Sequence, residues 1–338
     1  MVINIDSLLD KAKEKCHNAM SALAYWQDIP QTLYHFTTLS TLISILENKT
    51  IRFTHYKYLN DETELKFAMD GINQYITDNK VPNSHDHLKH LNKITAEINK
   101  RKNTYIFCLS KILDNLAMWR MYADDSFGVA IGFDRDINLT QGNKNLFTPF
   151  IGKVIYGIEY PDEIKDLINF VIETWNNETI REQLNDPSNT ETRQNFDNSI
   201  ATPIIMLSMI NKHPSFKLEE EIRLLLFDGE LAYPSTHPKG YYFPNNYRCA
   251  WSREIKQPDL KIIKFHDQTS DISIQQSSYL KNVEGIDLTD YVLKNLKEII
   301  IGSRQNDCMV EKINYLLDKN GFRSKEIKVE KHRSPYIG

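Results

Sequence analysis

Cysteine is scarce in this chain and poorly spaced for joint chemistry. Cys16, Cys108, Cys249 and Cys308 lie far apart and form no Cys-x-x-Cys pair, which excludes a zinc ribbon and a disulfide framework. Cys108 and Cys308 stand in apolar settings where free thiols usually belong. An excess of charge of one sign is also missing. With 41 Lys and Arg against 45 Asp and Glu the net charge is −4, so any nucleic-acid surface must be local. No apolar run reaches spanning length, and Met1 to Asp6 shows no basic segment followed by an apolar stretch. No membrane partner is therefore expected, and the expected location is the cytoplasm. The chain lacks an internal repeat, a P-loop, a Gly-x-Gly-x-x-Gly fingerprint and a Ser or Cys nucleophile elbow. His85, His87 and His90 do not share one helical face, so no metal centre is expected from them.

What is present is an ordinary folded composition, 41% hydrophobic and 25% charged over 338 residues. That length suits two domains or one elaborated unit. An amphipathic helix carries Leu8, Leu9, Ala12, Cys16, Met20, Leu23 and Ala24, and Pro30 ends it. Leu33 to Phe36 is a short apolar run with His35 inside it, followed by a helical pattern at Leu39, Leu42, Ile43 and Leu46. Thr50 to Thr54 alternates as a strand, and Asn60-Asp61-Glu62-Thr63-Glu64 opens another helix. Helical spacing returns at Ile164, Leu167, Ile168, Val171, Ile172 and Trp175, and again over Ile200 to Ile210. Between them residues 176–198 are polar enough to predict an exposed connection or lid. Leu296 to Ile301 reads as a buried strand, followed by a helix over Asp307 to Lys319 and a last strand near Ile327 to Val329. Strands and helices mix without regular alternation, so the fold class is α+β.

The central stretch runs from Tyr105 to Phe133. Two strand-like runs, Tyr105 to Leu109 and Val129 to Phe133, bracket a short helix with Met118, Trp119 and Tyr122 three and four residues apart. Such spacing serves a core or a platform for a flat ligand. Further on, Glu219-Glu220-Glu221 heads the apolar run Ile222 to Phe227. In an extended chain Glu219, Glu221 and Arg223 would share one face. That pattern is either a solvated ion cluster or a pair of carboxylates held on a rigid element for base or cation-stabilising work. His35 is likewise a core residue or a ligand contact, and Asn60 with Glu64 a cap or a contact.

These pieces occur together as YHFT (Tyr34 to Thr37), NDETE (Asn60 to Glu64), FCLS (Phe107 to Ser110), MWRMYAD…GVAIGF (Met118 to Phe133), FKLEEEIR (Phe216 to Arg223), KEIIIGS (Lys297 to Ser303) and Ser334-Pro335-Tyr336. The set resembles a bacterial family of formerly unknown function that is similar to the His-Tyr-Glu ADP-ribosyltransferase superfamily. The resemblance covers about residues 31–338. It implies a transferase-like split mixed β core with a helical insertion near 160–213, and it leaves 1–30 as a helical extension.

The resemblance also implies roles. His35 and Thr37 would contact the nicotinamide-side ribose of NAD+ as co-substrate, with Asn60 and Ser110 completing the binding set. Tyr122, with Trp119 as its rival, would stack on nicotinamide, and Glu221 would be the catalytic acid with Glu219 two residues before it. Glu220 competes with both for that place. Breaking the nicotinamide–ribose bond develops a ribosyl cation, which a fixed carboxylate stabilises and a ring over the pyridinium holds in place.

The implied activity is mono-ADP-ribosylation by a bacterial toxin or anti-phage defence effector, with an antitoxin as possible partner. Residues 233–256 interleave Tyr233, Tyr241, Tyr242, Phe243, Tyr247 and Trp251 with Lys239, Arg248, Arg253 and Lys256. That mixture suits single-stranded nucleic acid as acceptor, or an aromatic loop packed over the sheet. A protein acceptor and a non-catalytic nucleotide- or partner-binding module are the alternatives.

Overall fold

The computed structural model describes residues 5–24, 29–48, 50–56, 59, 64–79, 89–96, 103–135, 140–141, 144–145, 150–228, 260–264, 295–322 and 326–333. Asn60 and residues 233–256, both singled out above, lie outside these.

Helix α1 (Ile5–Leu23) precedes strand β1 (Thr32–Thr37), helix α2 (Leu39–Asn48), strand β2 (Thr50–His55) and helix α3 (Glu64–Asp78). A helical segment α4 covers residues 89–96. The central unit is β3 (Asn103–Ser110), α5 (Leu116–Met121) and β4 (Val129–Asp134), followed by the short pair β5 (Thr140–Gln141) and β6 (Lys144–Asn145). Strands β7 (Phe150–Lys153) and β8 (Ile155–Tyr156) lead to α6 (Asp162–Asn176), α7 (Glu178–Asn185), α8 (Thr190–Ile210) and β9 (Asn211–Lys212). After a 3-10 turn at Pro214–Glu219 come β10 (Glu221–Asp228), β11 (Leu260–Lys264), β12 (Leu296–Ile301), α9 (Met309–Lys319) and β13 (Lys328–Lys331).

Nine of these strands form one sheet, in which β12 and β13 run parallel and the other pairs are antiparallel. This is an α+β arrangement. The middle strand β3 pairs with β10 along its whole length, from Ser110↔Glu221 to Asn103↔Asp228. Its other edge is shared: β2 takes Tyr105 and Ile106, while β1 meets it only at Tyr34↔Ser110. The sheet is thus split between β1 and β3 beyond that pair.

Side chains alternate across a sheet and directly paired residues share a face, so the register sorts the core. One face carries Leu33, Phe107, Leu109, Ile131, Ile222, Leu224 and Ile299, packed under Leu42 and Leu46 of α2 and Ile313 and Leu317 of α9. The other face is covered in two parts. Over β1, β4 and β12, Phe36, Ala130 and Ile300 meet Met118 and Trp119 of α5. Over β3 and β10, Ile106 and Leu225 meet a large helical cluster built from α1, α3, α4, α6, α7 and α8.

Helix α1 packs into the same cluster as the insertion helices, so two pieces some 140 residues apart in sequence share one apolar core. Residues 176–198, expected as an exposed connection, are instead helical over most of their length. Asn177 caps α7 by accepting from the Ile180 N–H, and Ile180, Leu184 and Phe196 are buried. Ile180 and Leu184 seat α7, and Phe196 seats the polar start of α8, while most other positions there face water.

Immediately after α5 the backbone turns left-handed at three successive positions, Asp124, Asp125 and Ser126, with φ of 49°, 50° and 69°. Aspartate tolerates this region better than most residues, but the run still costs energy and needs support. The loop after β12 provides it: Arg304 N donates to Ser126 O at 3.2 Å, its guanidinium bonds Asp125, and Gly302 N donates to Gly128 O at 2.9 Å. A Cβ on Gly302 would fall 2.0 Å from Ser126 O, a backbone atom. Gly302→Ala should therefore lower the unfolding free energy by about 1–3 kcal/mol, read from urea denaturation. An unchanged midpoint would show that the two loops are not in contact.

Candidate functional site

The head of β10 lies in the seam between the α5 cover and the helical cluster. Its geometry starts with Glu220, whose left-handed backbone (φ 46°, ψ 49°) turns the chain from the 3-10 segment into the strand. Glu219 is therefore not a strand residue, contrary to the extended pattern expected over Glu219 to Arg223. The turn nevertheless brings Glu219 and Glu221 together and sends Glu220 outward to Lys111, 2.5 Å away.

Both inner carboxylates are buried, at 6% and 5% exposure, and so is Arg223 at 1%. Lys212 of β9 bridges them: its Nζ donates to Glu219 Oε2 at 2.7 Å and to Glu221 Oε2 at 3.0 Å. Arg223 holds Glu221 from the other side, Nε donating to Oε1 at 3.0 Å and Nη2 to Oε2 at 3.2 Å, while Nη1 donates to Met209 O at 2.7 Å. The Glu221 N–H donates to the Tyr156 hydroxyl at 2.9 Å.

Tyr122, which caps the C-terminus of α5, reaches this cluster as a partly buried side chain. Its hydroxyl donates to Glu219 Oε1 at 2.6 Å. Ser110, fully buried at the end of β3, fixes the same acid from behind by donating from Oγ to Glu219 O at 2.8 Å. Asn115 caps α5 and also donates to Leu218 O, tying the aromatic helix to the turn that carries Glu219.

Electrostatics follow the geometry. Burial by itself would raise the Glu221 carboxyl, but the Arg223 and Lys212 charges, with the Arg223 hydrogen bonds, outweigh it and hold it down to about 2. A depressed carboxyl contributes stability that is full above its ordinary value near 4.5 and is lost as pH falls toward 2. The wild-type urea midpoint should accordingly fall through that window, and Glu221→Gln should flatten the acid limb. An identical limb in both proteins would contradict the assignment. The Cys108 thiol, on the same face, is pushed up by burial first and then by the Glu221 charge.

His35 stands elsewhere. It neighbours Tyr34, which shares its face with Ser110 and Glu221, so the His35 side chain faces the opposite side of the sheet. Its ring lies 4.5 Å from the ring of Phe107, in the split between β1 and β3. The Nδ1–H donates to Cys108 O at 3.0 Å, leaving Nε2 as an acceptor, and burial lowers the ring's basicity so that the neutral form is favoured. Cys108 links the two sides, its carbonyl accepting from the His35 Nδ1–H and its thiol lying against Glu221. Thr37 is buried at the end of β1, opposite Val129.

Trp119, offered as rival to Tyr122, is a core residue with 2% exposure. Its ring packs edge-on to Phe36 and stacks on His332, and its indole N–H donates to Leu113 O at 2.9 Å. Its ring is enclosed, and Tyr122 is the less buried ring of the pair. The sequence reading brought Glu219, Glu221, Tyr122 and Ser110 to one place and missed Lys212. A signal for it existed: Lys212 is the first charged residue after Asp197, at the end of a solid apolar helix. Charge there has no reason to be solvated.

Among the described residues no group of three or more His, Cys, Asp and Glu could hold a metal ion, and no helix is long and apolar enough to cross a membrane. A family model described as "Protein of unknown function (DUF2971)" matches residues 118–224. The matched span holds Tyr122, Lys212, Glu219, Glu221 and Arg223, and leaves out His35, Thr37 and Ser110. Neither a curated protein nor a solved structure matches the chain.

Proposed function

We propose that the chain is an NAD+-dependent mono-ADP-ribosyltransferase acting in the bacterial cytoplasm, as a toxin or defence effector, with a nucleic acid as acceptor. The observation that carries this reading is the 2.6 Å bond from the Tyr122 hydroxyl to Glu219. It joins a partly buried aromatic ring and a fixed carboxylate, the two groups that a nicotinamide–ribose bond demands of its catalyst.

In this reading the ring of Tyr122 packs on the pyridinium, and Glu219 faces the ribose carbon. As the C–N bond breaks, the electron pair leaves with neutral nicotinamide, and cationic character develops on the ribose beside the carboxylate. An acceptor nucleophile then bonds to that carbon and gives up its proton. Glu221 is assigned a different task from the one first expected. With three hydrogen bonds to Arg223 and Lys212 it anchors the cluster, and Glu219, one step nearer the surface through Tyr122, faces substrate. His35 lies across the sheet, so in this reading it braces the split between β1 and β3 through Cys108 O and Phe107 and does not touch the ribose beside Glu219.

One feature favours the second reading, a non-catalytic nucleotide- or partner-binding module. Glu219, Glu221, Lys212 and Arg223 carry two charges of each sign in a buried, mutually satisfied set, which a purely structural centre would also show. Incubation with adenylate-labelled NAD+ and total cell RNA, DNA and protein separates the readings. Label is expected in a nucleic-acid fraction and should be lost with Glu219→Gln. Label in protein alone moves the acceptor, and no label in any fraction leaves the binding module.

A further inference from the structure

A carboxylate pair stabilises a cation only with the charge it has left over, and here that charge is already taken. The Lys212 ammonium rests between Glu219 Oε2 and Glu221 Oε2, at 2.7 and 3.0 Å, with 7% of its side chain exposed. Two acids from either side of the Glu220 turn thus form a socket, and its present occupant belongs to the protein.

The two cations of the cluster differ in how they are held. Arg223 is pinned by two bonds to Glu221 and a third to Met209 O, on a strand paired on both edges. Lys212 has a four-carbon stem and a second partner within reach, the ring of Phe216, whose centroid lies 4.7 Å from Nζ. Phe216 is only partly buried. An aromatic face on the way to solvent is a resting place for a displaced ammonium.

We infer that Lys212 is the internal occupant of a cation socket formed by Glu219 and Glu221, and that a ligand bearing a pyridinium or ammonium group displaces it toward Phe216. With Lys212 gone and Arg223 in place, the socket keeps one unbalanced negative charge, which selects cations and rejects neutral analogues and anions. The proposal rests on the transferase reading only in naming the natural ligand, the cationic nicotinamide end of NAD+. The socket itself is defined by the two carboxylates.

The test uses Lys212→Met in the full chain, with n-butylammonium and N-methylnicotinamide cation as probes and butanol and neutral nicotinamide as controls. Calorimetric titration should show the variant binding both cations about tenfold or more tightly than wild type, with a higher melting temperature in butylammonium. The neutral controls should have no effect. Equal binding by the two proteins overturns the proposal. Should Lys212→Met not accumulate as folded protein, Phe216→Leu decides: affinity for N-methylnicotinamide falls several-fold at an unchanged melting temperature, and an unchanged affinity overturns the proposal. Cation binding without any nicotinamide release from NAD+ would remove the transferase reading and keep the socket. Turnover of NAD+ with no cation effect would do the reverse.

Discussion

Arg223→Leu is expected to lower the unfolding free energy by about 3–5 kcal/mol. The guanidinium is 1% exposed and makes three hydrogen bonds, two to Glu221 and one to the last turn of α8 at Met209. Leucine fills much of the same volume, so cavity formation contributes little, and the loss measures the uncompensated charge. Glu219 and Glu221 would then share Lys212 alone, leaving one buried carboxylate without a counter-ion. Burial, not distance, sets the size of this effect. Lys165 and Asp162 lie 2.9 Å apart, as close as the pairs in the cluster, but on the surface. Lys165→Ala should leave the urea midpoint unchanged within error, because water and salt screen that pair. Equal, small losses for both substitutions would mean that the β10 cluster is hydrated in solution.

The second large effect separates two acids that stand two positions apart. Glu219→Gln should reduce nicotinamide release by about 10²–10³-fold, the range for removing one charge-stabilising group from a transition state. Its cost in stability should be smaller than that of Glu221→Gln, since Glu221 still faces both cations, and the amide oxygen can accept from Lys212 while the amide N–H donates to the Tyr122 hydroxyl. Glu221→Gln should cost about 3 kcal/mol, because Arg223 and Lys212 lose the charge they both face. Its turnover at saturating NAD+, compared at equal folded fraction, should fall far less, and the loss of one wall of the cation socket should appear in KM. The reverse pattern, with Glu221 the chemically sensitive residue, would restore the role first expected for it and move Glu219 into the frame.

How much of this was legible in the sequence depends on the range of the signal. Local patterns served well: the helices at Ile164 to Trp175 and Ile200 to Ile210, the strands at Leu33 to Phe36 and Leu296 to Ile301, and the short aromatic helix all appear near their expected places. The Glu219 and Glu221 pairing was also legible, although for an imperfect reason. Strand alternation would put both on one face, and the chain achieves the same meeting through a left-handed Glu220 after a 3-10 turn. Residues 176–198 misled because three buried side chains decide the fate of many polar ones.

Trp119 and Tyr122 could not be told apart by spacing. Both project from α5, and only the partners Phe36 and His332, more than 80 and 200 residues away in sequence, show which ring is enclosed. His35 shows the same limit more sharply. Its face follows from strand register, through Tyr34↔Ser110 against β3 and His35↔Ile131 against β4, and a one-residue shift would turn it toward Glu221. Lys212 was overlooked because its significance lies in what surrounds it.

The most direct measurement is nicotinamide release from NAD+ by the wild-type chain beside Glu219→Gln and Tyr122→Phe, each adjusted to the same folded fraction. Release by the wild type, with a large loss in Glu219→Gln and a smaller one in Tyr122→Phe, is the expected result. Release at the same rate from all three proteins, or from none of them in the presence of total cell RNA, DNA and protein, would contradict the assignment of transferase chemistry to the head of β10.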